Sequence, residues 1–335
     1  MKSSLQTLDK IIKTLFIPYS GLLSVIFGVM ILSFPIGLYV MYNSDIGKEI
    51  NYQYPINGLD LFVGGIGYKV PFSFEMGDAF VVTWTIFLIL FTISYFGPED
   101  SLLKTLSNTM SRGWQSFRGN AMANMMAWFS ILILFSVIID SVQQMFGIKI
   151  DFPTSTNDLI RFFQLGISPL TEETGFRVLL IGVPLFLMYS HSASWKTFFK
   201  SLWRPAKYLG ISDYKKSMVL IITIGLLFGV AHIISGTPWS PGKVTQAAMA
   251  GVIIGWVYVR YGLAPAILIH WATNYFLFSY LFFISSLGQS TAITDSSNPF
   301  SNTLEIILVG TGIIATTIKI LERVKTRKVP TEQNL

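Results

Sequence analysis

The chain has 335 residues, of which 52% are hydrophobic and 13% charged, and its mean hydropathy is +0.56. A water-soluble domain carries about a quarter charged residues, so this composition excludes a soluble enzyme, a nucleic-acid binder and a disordered linker. Cysteine is absent, which removes disulfides, thiolate metal sites, iron–sulfur clusters and Cys nucleophiles. The net charge of +6 says little by itself, because in a membrane protein the distribution of Lys and Arg among the loops carries the information.

A helical span needs about 20 mostly apolar residues. In chain order the candidates are Leu15–Tyr42, Ala79–Gly97, Ala121–Ile148, Phe162–Tyr189, Met218–Ser235, Val244–Tyr261, Leu263–Ser285 and Thr303–Ile320. These predict an all-α, polytopic membrane bundle of about eight helices. The first span is too long and too poor in small residues at its end for a cleaved signal peptide, and it is read as retained. Gly262 and Pro265 break the apolar run between the sixth and seventh spans, which predicts a tight helical hairpin. Lys and Arg then orient the bundle. Eighteen of 24 fall before the first span, after the last, or in the loops after the second, fourth and sixth, which predicts a multi-pass cell-membrane protein with both termini cytoplasmic. Residues 1–157 form an N-terminal membrane region of three spans, with 43–78 as a long external loop. Residues 158–285 form a polar-striped core, and 286–335 the last span and a basic tail.

Burying an ionisable side chain in a bilayer costs about 2.5–3.5 kcal/mol on insertion scales, so each needs a partner or a purpose. Apart from Asp140, Glu305 and Lys319, which are close enough to span ends to reach the interface, those within the spans are Glu172, Glu173 and Arg177 in the fourth, His232 in the fifth and His270 in the seventh. Glu173 and Arg177 stand four residues apart and share a helix face, whereas Glu172 points about 100° away. Phe228 and His232 have the same spacing of four, as do His270 and Asn274. Three helices each present one polar stripe, and a bundle brings such stripes together around one cavity. With no Cys, and no Ser or Asp pair at a catalytic spacing, water is the nucleophile such a cavity offers. A carboxylate and a His can activate it, and a His with an Asn can stabilise an oxyanion, worth about 3–4 kcal/mol per donor where water is excluded.

These stripes read EExxxR (Glu172 to Arg177), FxxxH (Phe228 to His232) and HxxxN (His270 to Asn274). In this order they resemble the signature of the CAAX prenyl endopeptidase type II and bacteriocin-processing family (CPBP, Abi). The resemblance covers Asp158–Ser285, and none is seen in residues 1–157 or the last span. It implies an eight-helix intramembrane endopeptidase in which Glu172 and His232 activate water and His270 and Asn274 hold the oxyanion. Glu173 and Arg177 orient the site, with Phe228 supporting. The implied partners are the bilayer and a membrane-associated protein or peptide, prenylated where the family name applies, with no nucleic acid.

Other readings are a proton-coupled transporter, a non-proteolytic scaffold of the same family, or polar residues that only glue helices together. No second copy of the motifs occurs in the first half, as a transporter repeat would require. No cofactor is expected, the alternative being zinc held by Glu172, His232 and His270. Counted at 1.5 Å per residue, Glu172 and His232 lie about 5–15 Å from the external ends of their spans, and His270 about 10 Å from the cytoplasmic end of its own. The chain count alone therefore leaves the motifs at different depths.

Overall fold

The computed structural model describes residues 2–64, 66–112, 117, 119–150, 157–191, 194–234, 239–288 and 298–328. Arg118 and Ser235, the end of the fifth predicted span, lie outside them. The elements in order are α1 (Lys2–Asn43), β1 (Pro55–Val63), β2 (Ile66–Glu75), α2 (Met76–Phe96), α3 (Leu102–Arg112) and α4 (Ala121–Met145). There follow α5 (Asp158–Glu173), a π-helical segment π1 (Thr174–Gly182) and α6 (Val183–Tyr189), which together run as one rod. The connection to the next span contains α7 (Trp195–Trp203) and α8 (Pro205–Leu209). Then come α9 (Lys215–Ile234), α10 (Lys243–Tyr261), α11 (Leu263–Trp271), π2 (Ala272–Phe276), α12 (Leu277–Ser286) and α13 (Pro299–Lys328).

Six of these helices are long and apolar enough to cross a membrane by length and composition. The fourth and sixth predicted spans, α5–π1–α6 and α10, are helical as well, the first broken by its π segment and crossed by the charged motif. The molecule is a polytopic helical bundle, as the composition requires. α1 contains Pro18 and Pro35, each of which removes one backbone N–H from the helix. Beside Pro35, the Phe34 carbonyl accepts from Trp84 Nε1 at 3.1 Å and from the Tyr275 hydroxyl at 3.3 Å. Trp271, Tyr275 and Phe34 are stacked in the same buried cluster, so the core sits between α1, α2 and the α11–π2–α12 rod.

Two features position the polar stripes. First, α9 and α10 cross at glycines: a Cβ on Gly225 would stand 2.8 Å from the Val252 amide nitrogen, and one on Gly229 would stand 2.5 Å from the Val244 carbonyl oxygen. Only small residues permit this approach, which brings His232 close to the start of α10. Second, Gly262 at φ 108° turns the chain between α10 and α11 against Trp203 and Arg204 of the α7–α8 connection. The hairpin expected from Gly262 and Pro265 is present, and Leu263 starts a new helix at once.

The segment 43–78, expected as a long external loop, contains regular structure. It holds an antiparallel hairpin in which Val63 pairs with Ile66 and Leu59 with Val70, with a bulge between Asn57 and Leu59. Its alternation can be read in β2, where Ile66, Tyr68, Val70, Phe72 and Phe74 alternate with Gly67, Lys69, Pro71, Ser73 and Glu75 after the turn glycines. Asn157 caps α5 by accepting from the Leu159 and Ile160 amides, and its Nδ2 donates to the Gly47 carbonyl, tying this loop to the start of the site-bearing helix.

Candidate functional site

The site begins at the junction of α5 and π1. Both Glu172 and Glu173 end the α-helical turn, and the wider π segment that follows carries Phe176 and Arg177 inward. A π-helical turn shifts the facing of the residues after it, and such turns recur at functional sites. Glu173 is fully buried and Arg177 is 1% exposed. Arg177 Nε lies 3.0 Å from Glu173 Oε2. The contact is an ion pair by distance without hydrogen-bond alignment, and both atoms lack a hydrogen-bond partner. The guanidinium instead covers the Phe228 ring, 4.4 Å from its centroid. Face contact with an aromatic ring compensates a desolvated cation by about 2 kcal/mol or more.

The other oxygen of Glu173 reaches the seventh predicted span, with His270 Nδ1 2.8 Å from Oε1. Glu173 therefore joins two helices, holding Arg177 on its own and His270 on α11. Nδ1 donates to an ionised Glu173, so the imidazole is fixed in orientation and presents Nε2 away from the bond. Nε2 lies 3.8 Å from Glu172 Oε2, close enough for charge attraction and too far for a hydrogen bond. Glu172 differs from its neighbour in being 19% exposed, and its Oε2 has no hydrogen-bond partner. Of the two adjacent carboxylates, one is sequestered in a network and one is left available.

On α9, His232 Nδ1 donates to the Phe228 carbonyl at 2.8 Å, leaving Nε2 as a lone-pair acceptor. The Phe228 ring meets the His232 ring at 4.7 Å and the His270 ring at 6.0 Å, both edge-on. Phe228 is thus the hub between the two histidines and Arg177, a larger part than its motif position suggests. Asn274 lies in π2, where Nδ2 donates to Ser168 Oγ at 2.8 Å and Oδ1 accepts from Thr273 at 3.2 Å. Its amide is therefore oriented by α5 as well as by its own helix.

The structure brings Glu172, Glu173, Arg177, Phe228, His232 and His270 into one contact network, and it levels Glu172 with His270. The depth mismatch in the chain count does not persist in the fold, where His270 Nε2 and Glu172 Oε2 stand 3.8 Å apart, with Gly262 at the start of α11 packed on Trp203 and Arg204 of the α7–α8 connection. Two neighbours were not legible beforehand. Ser168 reaches Asn274 from one turn before the Glu pair, and a Ser in an apolar helix carries no distinctive signal. Lys243, counted only as a loop charge, lies close enough to interact electrostatically with Glu172 and His232. Its ammonium donates to Gln246 Oε1 at 2.7 Å and covers the Trp239 ring. Among the described residues, no three His, Asp or Glu side chains are grouped so as to hold a metal ion, the proposed zinc set included.

No curated protein and no solved structure matches the chain. A family model does: residues 157–276 match the one described as type II CAAX prenyl endopeptidase Rce1-like. The match opens at the cap of α5 and closes at the end of π2, two residues past Asn274. The stretch that holds all the motif residues is therefore the Rce1-like part of the chain, and the CPBP/Abi resemblance carried by EExxxR, FxxxH and HxxxN is borne out there.

Proposed function

We propose that the protein is an intramembrane endopeptidase that hydrolyses a peptide bond with an activated water. The observation that carries this reading is the division of labour between the two carboxylates. Glu173 is consumed in fixing Arg177 and His270, while Glu172 stands free beside His270 Nε2 with His232 behind the Phe228 ring. Water placed between Glu172 and His232 gives one proton to Glu172 while His232 Nε2 accepts a hydrogen bond from its other O–H, and as the tetrahedral intermediate breaks its C–N bond that proton passes through His232 to the leaving amine. The attacking oxygen then forms the new C–O bond, and the carbonyl oxygen becomes the oxyanion.

An imidazolium at His270, with Nδ1–H on Glu173, offers Nε2–H to that oxyanion. Asn274 Nδ2–H would supply the second donor after turning from Ser168. Glu173 and Arg177 are positioning residues, since they act through His270 and Phe228. Both termini are placed in the cytoplasm by the positive-inside distribution. The substrate class is a membrane-associated polypeptide. Internally quenched peptides in matched farnesylated and unmodified forms, incubated with purified protein in detergent and no ion gradient, test both the activity and the need for a lipid. Glu172→Gln keeps the shape and removes the base, and is expected to retain no more than a few per cent of wild-type turnover. Retention of full turnover refutes the assignment.

A further inference from the structure

A cavity of about 250 Å³ opens at the start of α11, and no residue of the three motifs lines it. Counted at 1.5 Å per residue, Gly262 in its wall lies about 12 Å along the helix from His270. The wall also takes Glu99 from the turn after α2, Asn120 from the cap of α4, Arg204 and Lys207 from the α7–α8 connection, and Arg260 from the end of α10. Local contacts bring these segments together. Asn120 Nδ2 donates to the Tyr95 carbonyl at 3.0 Å and the Asp100 carbonyl at 2.7 Å, which holds the turn after α2 on the start of α4. Gly262, at φ 108°, packs so closely on the Trp203 carbonyl that a Cβ would stand 2.8 Å from it, and this sets Arg204 and Lys207 beside Arg260.

This wall carries three cations and one carboxylate, a formal excess of +2. Arg260 Nη1 donates to the Tyr214 hydroxyl at 2.6 Å, and Lys207 stands 5.7 Å from the centroid of the Tyr208 ring, neutral partners that leave both charges in place. Among the described residues, none of Arg204, Lys207 and Arg260 has a carboxylate within ion-pair distance. The spans Met76–Phe96, Ala121–Met145 and Leu263–Ser286 each end or begin within a few residues of the cavity, which sets it at the level of lipid headgroups. Next to it, α7 shows Trp195, Phe199 and Trp203 outward at four-residue spacing, the first two 75% and 64% exposed. On its other face Leu202 is buried, and its carbonyl accepts from the Tyr258 hydroxyl at 2.9 Å. A helix fixed to the bundle on one face, with aromatics outward and Lys196 and Lys200 beside them, has the make-up of a helix lying in the membrane interface.

We propose that this cavity binds the phosphate of an anionic phospholipid headgroup, with Arg204, Lys207 and Arg260 as its charge partners. The charge excess excludes a metal cation. The volume is below the about 300–1,000 Å³ of a pocket for a drug-sized ligand, which suits a small anionic group rather than a peptide. Phosphate is the anion that guanidinium forks pair with, and at the headgroup level of a bilayer it belongs to a lipid; basic pockets between membrane helices recognise such headgroups. The site shares no residue with the hydrolase reading above and is read by binding, so it stands or falls separately.

Full-length protein, purified in dodecylmaltoside and stripped of lipid, is titrated with dioleoylphosphatidylglycerol or dioleoylphosphatidylcholine by native mass spectrometry, and with inorganic phosphate by calorimetry. The first phosphatidylglycerol should bind at least about tenfold more tightly than phosphatidylcholine, whose headgroup carries no net charge. Lys207 is exposed, so Lys207→Gln leaves the packing untouched, and it should weaken that binding about fivefold. Arg204→Gln with Lys207→Gln should weaken it about 25-fold. Lys196→Gln removes the same charge from α7 outside the cavity and should bind within about twofold of the parent. Equal affinity for the two lipids, equal loss in Lys196→Gln and Lys207→Gln, or full binding by the double variant each overturns the proposal. Saturable binding of inorganic phosphate without a phosphatidylglycerol adduct assigns the cavity to a free phosphate and overturns the lipid.

Discussion

Removing the Arg177 guanidinium tests the network at its most buried point. In the structure Glu173 is fully buried and its charge is met by Arg177 at 3.0 Å and His270 at 2.8 Å. Arg177→Ala leaves that carboxylate with one partner, and breaking a buried pair from one side costs about 3–5 kcal/mol. Loss of the cation over Phe228 adds about 2 kcal/mol. Protonation of His270 or Glu173 returns part of this, so we expect a net loss of about 3 kcal/mol and a thermal midpoint lower by about 4 °C in scanning fluorimetry of the detergent-purified protein. The double variant Glu173→Gln, Arg177→Met removes both charges and should recover most of that loss, because a well-packed neutral pair avoids the desolvation cost. Its activity should stay low, since His270 has lost its anchor. An Arg177→Ala protein as stable as wild type, or a double variant no more stable than the weaker single variant, would refute the pairing.

The same structure sets further expectations. His270→Ala and Asn274→Ala should each lower kcat by about 10²–10³ with KM nearly unchanged, as expected for groups that act on the oxyanion. Elemental analysis of the active protein should find no stoichiometric metal, and 1,10-phenanthroline should leave turnover intact. One zinc per chain that disappears in His270→Ala would replace the oxyanion role with a ligand role. Gly229→Val should abolish folding yield and activity together, because its Cβ would enter the Val244 carbonyl and push α9 from α10. A stable Gly229→Val protein would show that the close crossing is dispensable.

Much of this was open to reading from the chain alone, for reasons that can be named residue by residue. Hydrophobicity sustained over span length identifies a bilayer protein whatever its packing, because the solvent, rather than any partner, selects for it. The same cost makes intramembrane charges few, so Glu172, Glu173, Arg177, His232 and His270 stood out without any structure. The spacing of Glu173 and Arg177 also sufficed, since a four-residue separation is a local property of helix and survives the π segment that follows.

What tertiary structure decided are the contacts between elements remote in sequence. Glu173 could have been paired with Arg177 alone. That it also holds His270, 97 residues away, depends on where α11 starts, which Gly262 and the α7–α8 connection set together. The different facing of Glu172 and Glu173 was legible from helix periodicity, whereas the use of the second Glu173 oxygen by His270 was not. Phe228 as the hub between Arg177 and both histidines required the glycine crossing of α9 with α10. The hairpin was the least legible element, because a strand's partner and its resting place are both non-local. Its sequence carries β-forming residues but nothing that says the tip will reach Leu180 and Leu227 inside the bundle.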